Sequence, residues 1–229
     1  VKNFFAALAH HSPWPLHRLS PRRPGSETTD LLGSAAAGIL VGVMCAAIFM
    51  LISMVLPARV ALLISLCLGL ASSLPRGSLG AWSQTVSPKS AVILGVLILL
   101  KLEILSEIDL EWIPVTLICS AAWSRAAVLA AVPDPVVGFR STTGTTRLAM
   151  LVIGMLPLGF FGIWPEPVWG LWVAGLVALL AARWIKARVS MGPVGVRWVM
   201  VETIYCLVVL LLMSAAAISE MVQEEEPGS

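Results

Sequence analysis

Charge is what this sequence has least of. Charged residues make up 12% of the 229-residue chain and hydrophobic residues 58%, against roughly 25% charged in an ordinary soluble domain. Too few charges remain to cover a water-soluble globule of this size, and no nucleic acid is expected as a partner. Glycine (18) and proline (15) are not in excess, which excludes a low-complexity disordered chain and a collagen-like repeat. The four cysteines, Cys45, Cys67, Cys119 and Cys206, each sit inside an apolar run with no CxxC spacing or histidine partner. They read as small buried hydrophobes, not as a zinc or redox site. The three histidines, His10, His11 and His17, lack metal-ligand spacing and are expected at a surface. There is no phosphate-binding P-loop, Gly-x-Ser-x-Gly elbow or His-Glu-x-x-His site. Acid is also missing over a long stretch, with no Asp or Glu between Asp30 and Glu103.

What replaces charge is Leu, Ala, Val and Ile in long runs, the composition of a chain whose solvent is the bilayer. A spanning helix needs about 20 mainly apolar residues. Reading runs against breakers gives segments at 31–56, 58–74, 90–105, 112–132, 148–164, 168–183 and 197–219. The fold class is therefore all-α, a polytopic membrane helix bundle of about seven transmembrane helices, within a range of roughly six to eight because three segments are short. Residues 1–30 form a cytoplasmic interfacial segment, 31–219 the bundle and 220–229 an acidic tail. The N-terminal segment carries Phe4, Phe5 and Trp14 as interfacial anchors. A cleavable signal peptide is not expected, because the apolar stretch 4–9 is short and meets His10, His11 and Pro13.

The cations give the orientation. With seven spans and the N-terminus in the cytoplasm, Lys2, Arg18, Arg22, Arg23, Arg76, Lys89, Arg140, Arg147, Arg183, Lys186, Arg188 and Arg197 fall on one side. The other side receives Arg59, with Glu107, Asp109, Glu111, Glu166 and the Glu224–Glu226 run. A shift by one span would scramble this segregation, so the positive-inside rule supports both the count and the orientation.

Lys101 and Arg125 lie within spans. Lys101 is expected near the outer end of the third span, snorkelling to the interface or meeting Glu103 or Glu107. Arg125 lies some 20 Å from the outer edge, at about 1.5 Å per residue. Glu202 stands at a similar depth in the seventh span. A buried charge in lipid is costly unless paired, so either Arg125 and Glu202 form an ion pair or each faces a water-filled cleft. In the first span Gly38 and Gly42 stand at GxxxG spacing beside Ala35, Ala36 and Ala37, a signal for close helix packing.

An ordered series of local motifs resembles the cobalamin synthase family, the adenosylcobinamide-GDP ribazoletransferases. Phe4-Phe5-Ala6-Ala7-Leu8 with Pro13-Trp14-Pro15 is similar to the family's opening, and Gly38 and Gly42 to its first-span signature, closed by Leu56-Pro57. Lys101-Leu102 resembles the lysine that ends a Leu-rich helix, Ser124-Arg125 the Ser-Arg motif of a later span, and Gly195 and Glu202 the C-terminal Gly–Glu spacing. The resemblance implies a multi-pass protein of the bacterial plasma membrane that joins α-ribazole, or its 5′-phosphate, to adenosylcobinamide-GDP with release of GMP. It also implies Mg²⁺ as cofactor, held by aspartates on the cytoplasmic side after the second span.

That acidic stretch is where the chain departs from the family. The aspartate positions are Gly77, Ala81 and Gln84, the preceding glutamate is Arg76, and Leu79 alone is kept. Gly192 stands where the family has a further aspartate. None of these side chains offers an anionic oxygen, and the neighbouring cytoplasmic cations would repel a dication while attracting a phosphate. Three readings follow: a ribazoletransferase; a non-catalytic relative that binds corrinoid or nucleotide or supports a membrane partner; and an unrelated small transporter or channel subunit, which would need a polar stripe through the bilayer.

Overall fold

A computed structural model describes residues 27–73, 88–131, 143–161, 168–188 and 194–224. Among these the regular elements are seven helices and no strand: α1 (Glu27–Ser53), α2 (Ala58–Ser73), α3 (Pro88–Ser106), α4 (Ile113–Ala131), α5 (Gly144–Phe161), α6 (Val168–Arg188) and α7 (Val194–Glu224). Each expected apolar segment is one of these helices. Four stretches are long and apolar enough to cross a membrane: Leu32–Ser53, Ile113–Ala131, Gly144–Phe161 and Val196–Ala216. Ala58–Ala71 and Gly170–Ile185 are apolar but shorter. The end helices run beyond the apolar segments, α1 starting at Glu27 and α7 continuing to Glu224. The N-terminal interfacial segment before Glu27 lies outside the described residues.

The outer faces are apolar as well as the core. On α5, Leu148, Val152, Leu156 and Phe160 recur every four residues, and all are exposed. Val92, Val96 and Leu100 do the same on α3, and Leu176 and Leu180 on α6. A helix in water turns a polar face outward, so helices apolar on every side belong in lipid.

Chain geometry at the first hairpin follows from Pro57, which cannot continue α1. Val55 and Leu56 donate back to the Ile52 carbonyl at 3.0 and 2.8 Å, and the Pro57 carbonyl accepts from Val60 and Ala61 to start α2. Lower down, the Ser65 hydroxyl donates to the Cys45 carbonyl at 2.6 Å and ties the two helices together.

α4 is the central helix. It contacts α1, α5, α6 and α7, and 83% of its span is buried, against 28% for α5 and for α7. Its alanines, Ala121, Ala122, Ala126 and Ala127, are small enough to allow neighbours in on several sides. The neighbours answer with glycine. A Cβ on Gly38 would lie 2.8 Å from the Ala121 carbonyl oxygen, and one on Gly42 would lie 2.7 Å from the Ile118 Cα. Gly154 of α5 has no room for a Cβ beside Ala126, and Gly175 of α6 accepts the Trp123 indole N–H at its carbonyl, 2.5 Å away. The expected GxxxG packing surface on α1 is thus the seam with α4. Of the cysteines, Cys45, Cys119 and Cys206 are buried, whereas Cys67 is on the exposed face of α2, so the expectation of four buried thiols is corrected at that position.

Replacing Gly42 with leucine forces backbone apart at this seam. The variant should lose about 1–3 kcal/mol, seen as a lower thermal midpoint in detergent. At Gly95, where a Cβ meets nothing within 4 Å, Gly95→Ala should be neutral or gain up to about 1 kcal/mol.

Candidate functional site

The interior of a lipid-embedded bundle offers no water to a charge, so each buried ion needs a partner from another helix. Lys101 of α3 is 5% exposed. Its ammonium sits 2.6 Å from Glu202 Oε2 on α7, with the two side chains 6% and 16% exposed. The other carboxylate oxygen, Oε1, accepts the hydroxyl of Ser124 on α4 at 3.2 Å. That hydroxyl also lies 3.2 Å from the Ala121 carbonyl. Three helices therefore meet at one carboxylate.

Arg125, next along α4 and 2% exposed, lies near enough to Glu202 for their charges to interact. Its guanidinium carbon stands 5.0 Å from the centroid of the Trp198 ring on α7, a cation–π distance. Gly38 is part of this arrangement, because a Cβ there would come within 3.1 Å of the Arg125 side chain. Cys45 of α1 and Cys206 of α7 lie within electrostatic reach of Lys101.

Two expectations are corrected here. Lys101 does not snorkel to the outer interface or pair with Glu103 or Glu107. Those two acids instead meet Arg59 of α2 at 3.5 and 3.9 Å on the exposed surface, where such pairs contribute little. The reason lies in side-chain direction: helical side chains lean toward the N-terminus of their own helix, so the Lys101 stem carries its ammonium inward, away from the nearby end of α3. The second concerns Glu202, for which an Arg125 pair or a water-filled cleft is expected: its ion-pair contact is Lys101, while Arg125 lies within charge range of it and over the Trp198 ring.

The residues that carry the resemblance are largely brought together. Lys101, Ser124, Arg125 and Glu202 form the polar centre, and Gly38 and Gly42 seat α1 against the same stretch of α4. Gly195 lies in the first turn of α7. Gly77, Leu79, Ala81, Gln84 and Gly192 fall outside the described residues. Sequence reasoning missed Trp198 and Ser120. The signal for the first was its spacing, one helical turn before Glu202; for the second it was the Thr116, Ser120, Ser124 series at four-residue intervals along α4. Of this series Ser120 donates back to the Leu117 carbonyl of its own helix, Ser124 reaches Glu202 on α7, and the buried Thr116 Oγ1 has no hydrogen-bond partner among the described residues.

Magnesium needs several carboxylate or other hard oxygens. Among the described residues, Glu202 is the one acid inside the bundle, with Lys101 on one oxygen and Ser124 on the other. No three His, Cys, Asp or Glu side chains come together among those residues. A carboxylate already holding an ammonium, with a guanidinium beside it, does not fit a dication. No family model, curated protein or solved structure matches the chain.

Removing one member of the pair strands the other in an apolar interior. Glu202→Gln should cost about 3–5 kcal/mol, measured as loss of the folded fraction in detergent unfolding. Lys101→Met combined with Glu202→Leu should recover most of that loss. The exchange Lys101→Glu with Glu202→Lys should rescue better than Arg125→Glu with Glu202→Arg.

Proposed function

We propose that the chain is an integral membrane protein of the cobalamin synthase kind, an adenosylcobinamide-GDP ribazoletransferase in descent, and that it binds the corrinoid nucleotide without turning it over. The observation that carries the first half is convergence. Gly38, Gly42, Lys101, Ser124, Arg125 and Glu202 are scattered over α1, α3, α4 and α7, yet they meet around one buried centre. Buried charges pair and glycines seat helices in any lipid-embedded bundle, so the support lies in these being the very residues that carry the resemblance.

The second half rests on chemistry. Joining a ribose hydroxyl to a phosphorus that carries a nucleotide leaving group develops negative charge, which the family neutralises with Mg²⁺ on carboxylates. Gly77, Ala81, Gln84 and Gly192 supply no carboxylate, and Glu202 is engaged. Binding needs less: Arg76, Lys89, Arg183 and Lys186 favour an anionic nucleotide. In this reading the bundle crosses a bacterial plasma membrane with its N-terminus in the cytoplasm, and the basic segments face the nucleotide pool. A supporting role beside an active membrane partner is the same reading with the chemistry placed elsewhere. The transporter reading has less to support it, because the buried charges of Lys101 and Glu202 are paired with each other instead of lining a path.

The test uses the purified full chain in detergent with Mg²⁺, adenosylcobinamide-GDP and α-ribazole phosphate. Wild type is expected to bind adenosylcobinamide-GDP and release no GMP, while Gly77→Asp with Ala81→Asp and Gln84→Asp should gain Mg²⁺-dependent release. GMP release by the wild type would return catalysis to this chain. Failure of both proteins to bind would sink the family reading.

A further inference from the structure

Trp198 is a buried donor with nothing to donate to. Its indole Nε1 is shielded from solvent and has no hydrogen-bond acceptor, whereas nearly all buried N–H groups in native proteins have one. The neighbours already described do not supply it. Glu202 spends Oε2 on Lys101 and Oε1 on Ser124, while Arg125 and Lys101 are donors only.

The surroundings say what kind of acceptor belongs there. The Arg125 guanidinium lies over the Trp198 ring at 5.0 Å from its centroid, so an oxygen reaching the indole N–H stands beside a permanent positive charge. A guanidinium has five N–H donors and serves several acceptors at once, so an arriving anion need displace no existing contact. Arg183, Lys186 and Arg188 crowd the sequence just before this helix, raising the local concentration of anions. Planar guanidinium with an adjacent neutral N–H donor suits the oxygens of a phosphate.

We propose that Trp198 and Arg125 form the recognition point for a phosphate-bearing ligand, one phosphate oxygen accepting the indole N–H while the guanidinium balances its charge. The proposal rests on the function proposed above only for the identity of the larger molecule; the phosphate chemistry is carried by the two side chains. The phosphate comes from a soluble nucleotide or from a lipid headgroup.

The full chain in detergent is titrated calorimetrically with inorganic pyrophosphate and with GDP. Trp198→Phe keeps a ring under Arg125 and removes the N–H, and it should weaken binding about tenfold or more; Arg125→Gln should weaken it further. In vesicles of phosphatidylcholine with and without phosphatidylglycerol, thermal stabilisation by the anionic lipid that Trp198→Phe abolishes would identify a headgroup as the source. Equal affinities in wild type and Trp198→Phe, together with no such lipid effect, overturn the proposal. A measurement on wild type alone guards against a variant that does not fold: with ¹⁵N-labelled tryptophan, pyrophosphate or phosphatidylglycerol should shift one indole N–H resonance, and no shift overturns the proposal. Binding of pyrophosphate that adenosylcobinamide-GDP does not compete would leave this site standing while removing the family reading. Tight adenosylcobinamide-GDP binding indifferent to Trp198 would do the reverse.

Discussion

An ammonium and a carboxylate 2.6 Å apart, inside a bundle that lipid surrounds, decide how α3 is held. Elsewhere α3 has an apolar face turned outward through Val92, Val96 and Leu99, and among the described residues it packs chiefly against α2 and α7. Apolar surface gives little direction in lipid, because hydrocarbon is as good a neighbour as leucine. The Lys101–Glu202 pair is directional and sets both the rotation of α3 and its height against α7. Ser124 extends the same constraint to α4 by donating to the second carboxylate oxygen.

Close approach is the other half of the arrangement. α4 can receive partners on several sides because alanines line it and because Gly38, Gly42, Gly154 and Gly175 face it from α1, α5 and α6. Large side chains at those positions would push the helices apart by more than a hydrogen bond tolerates, and the Ser124 hydroxyl and the Arg125 guanidinium would lose their present distances. Small residues therefore set the geometry, and polar residues make use of it. Trp123 shows both effects in one side chain, filling the space beside Gly175 and donating to its carbonyl.

Helices were legible in the sequence because hydrophobic run length and Pro57 are local quantities. Depth was legible too: Arg125 and Glu202 were placed at similar heights, and they do lie within reach of each other. What a single sequence does not contain is azimuth, the direction in which each residue points around its helix. Lys101 was assigned by its distance from the end of α3, which was right, while its stem leans the other way and finds α7. For the same reason the partner of Glu202 was misassigned and Trp198 passed unnoticed, since a tryptophan near a helix start reads equally as an interfacial anchor. The acidic deficit at Gly77, Ala81 and Gln84 needed no structure, being a matter of which atoms are present.

The separation between Lys101 and Glu202, 101 residues along the chain, has a consequence for biogenesis. At roughly 5–20 residues per second, the ribosome takes about 5–20 s to go from one to the other. For that interval α3 exists and its counter-ion does not, and a lone lysine five residues from the end of the helix costs less to insert than the roughly 2.5–3.5 kcal/mol of a helix centre, but still opposes insertion. Until α7 emerges, α3 therefore lacks the contact that fixes its rotation and height. Assembly of this protein is then not a simple succession of independent insertions; the helix that carries Lys101 is secured by one made about a hundred residues later.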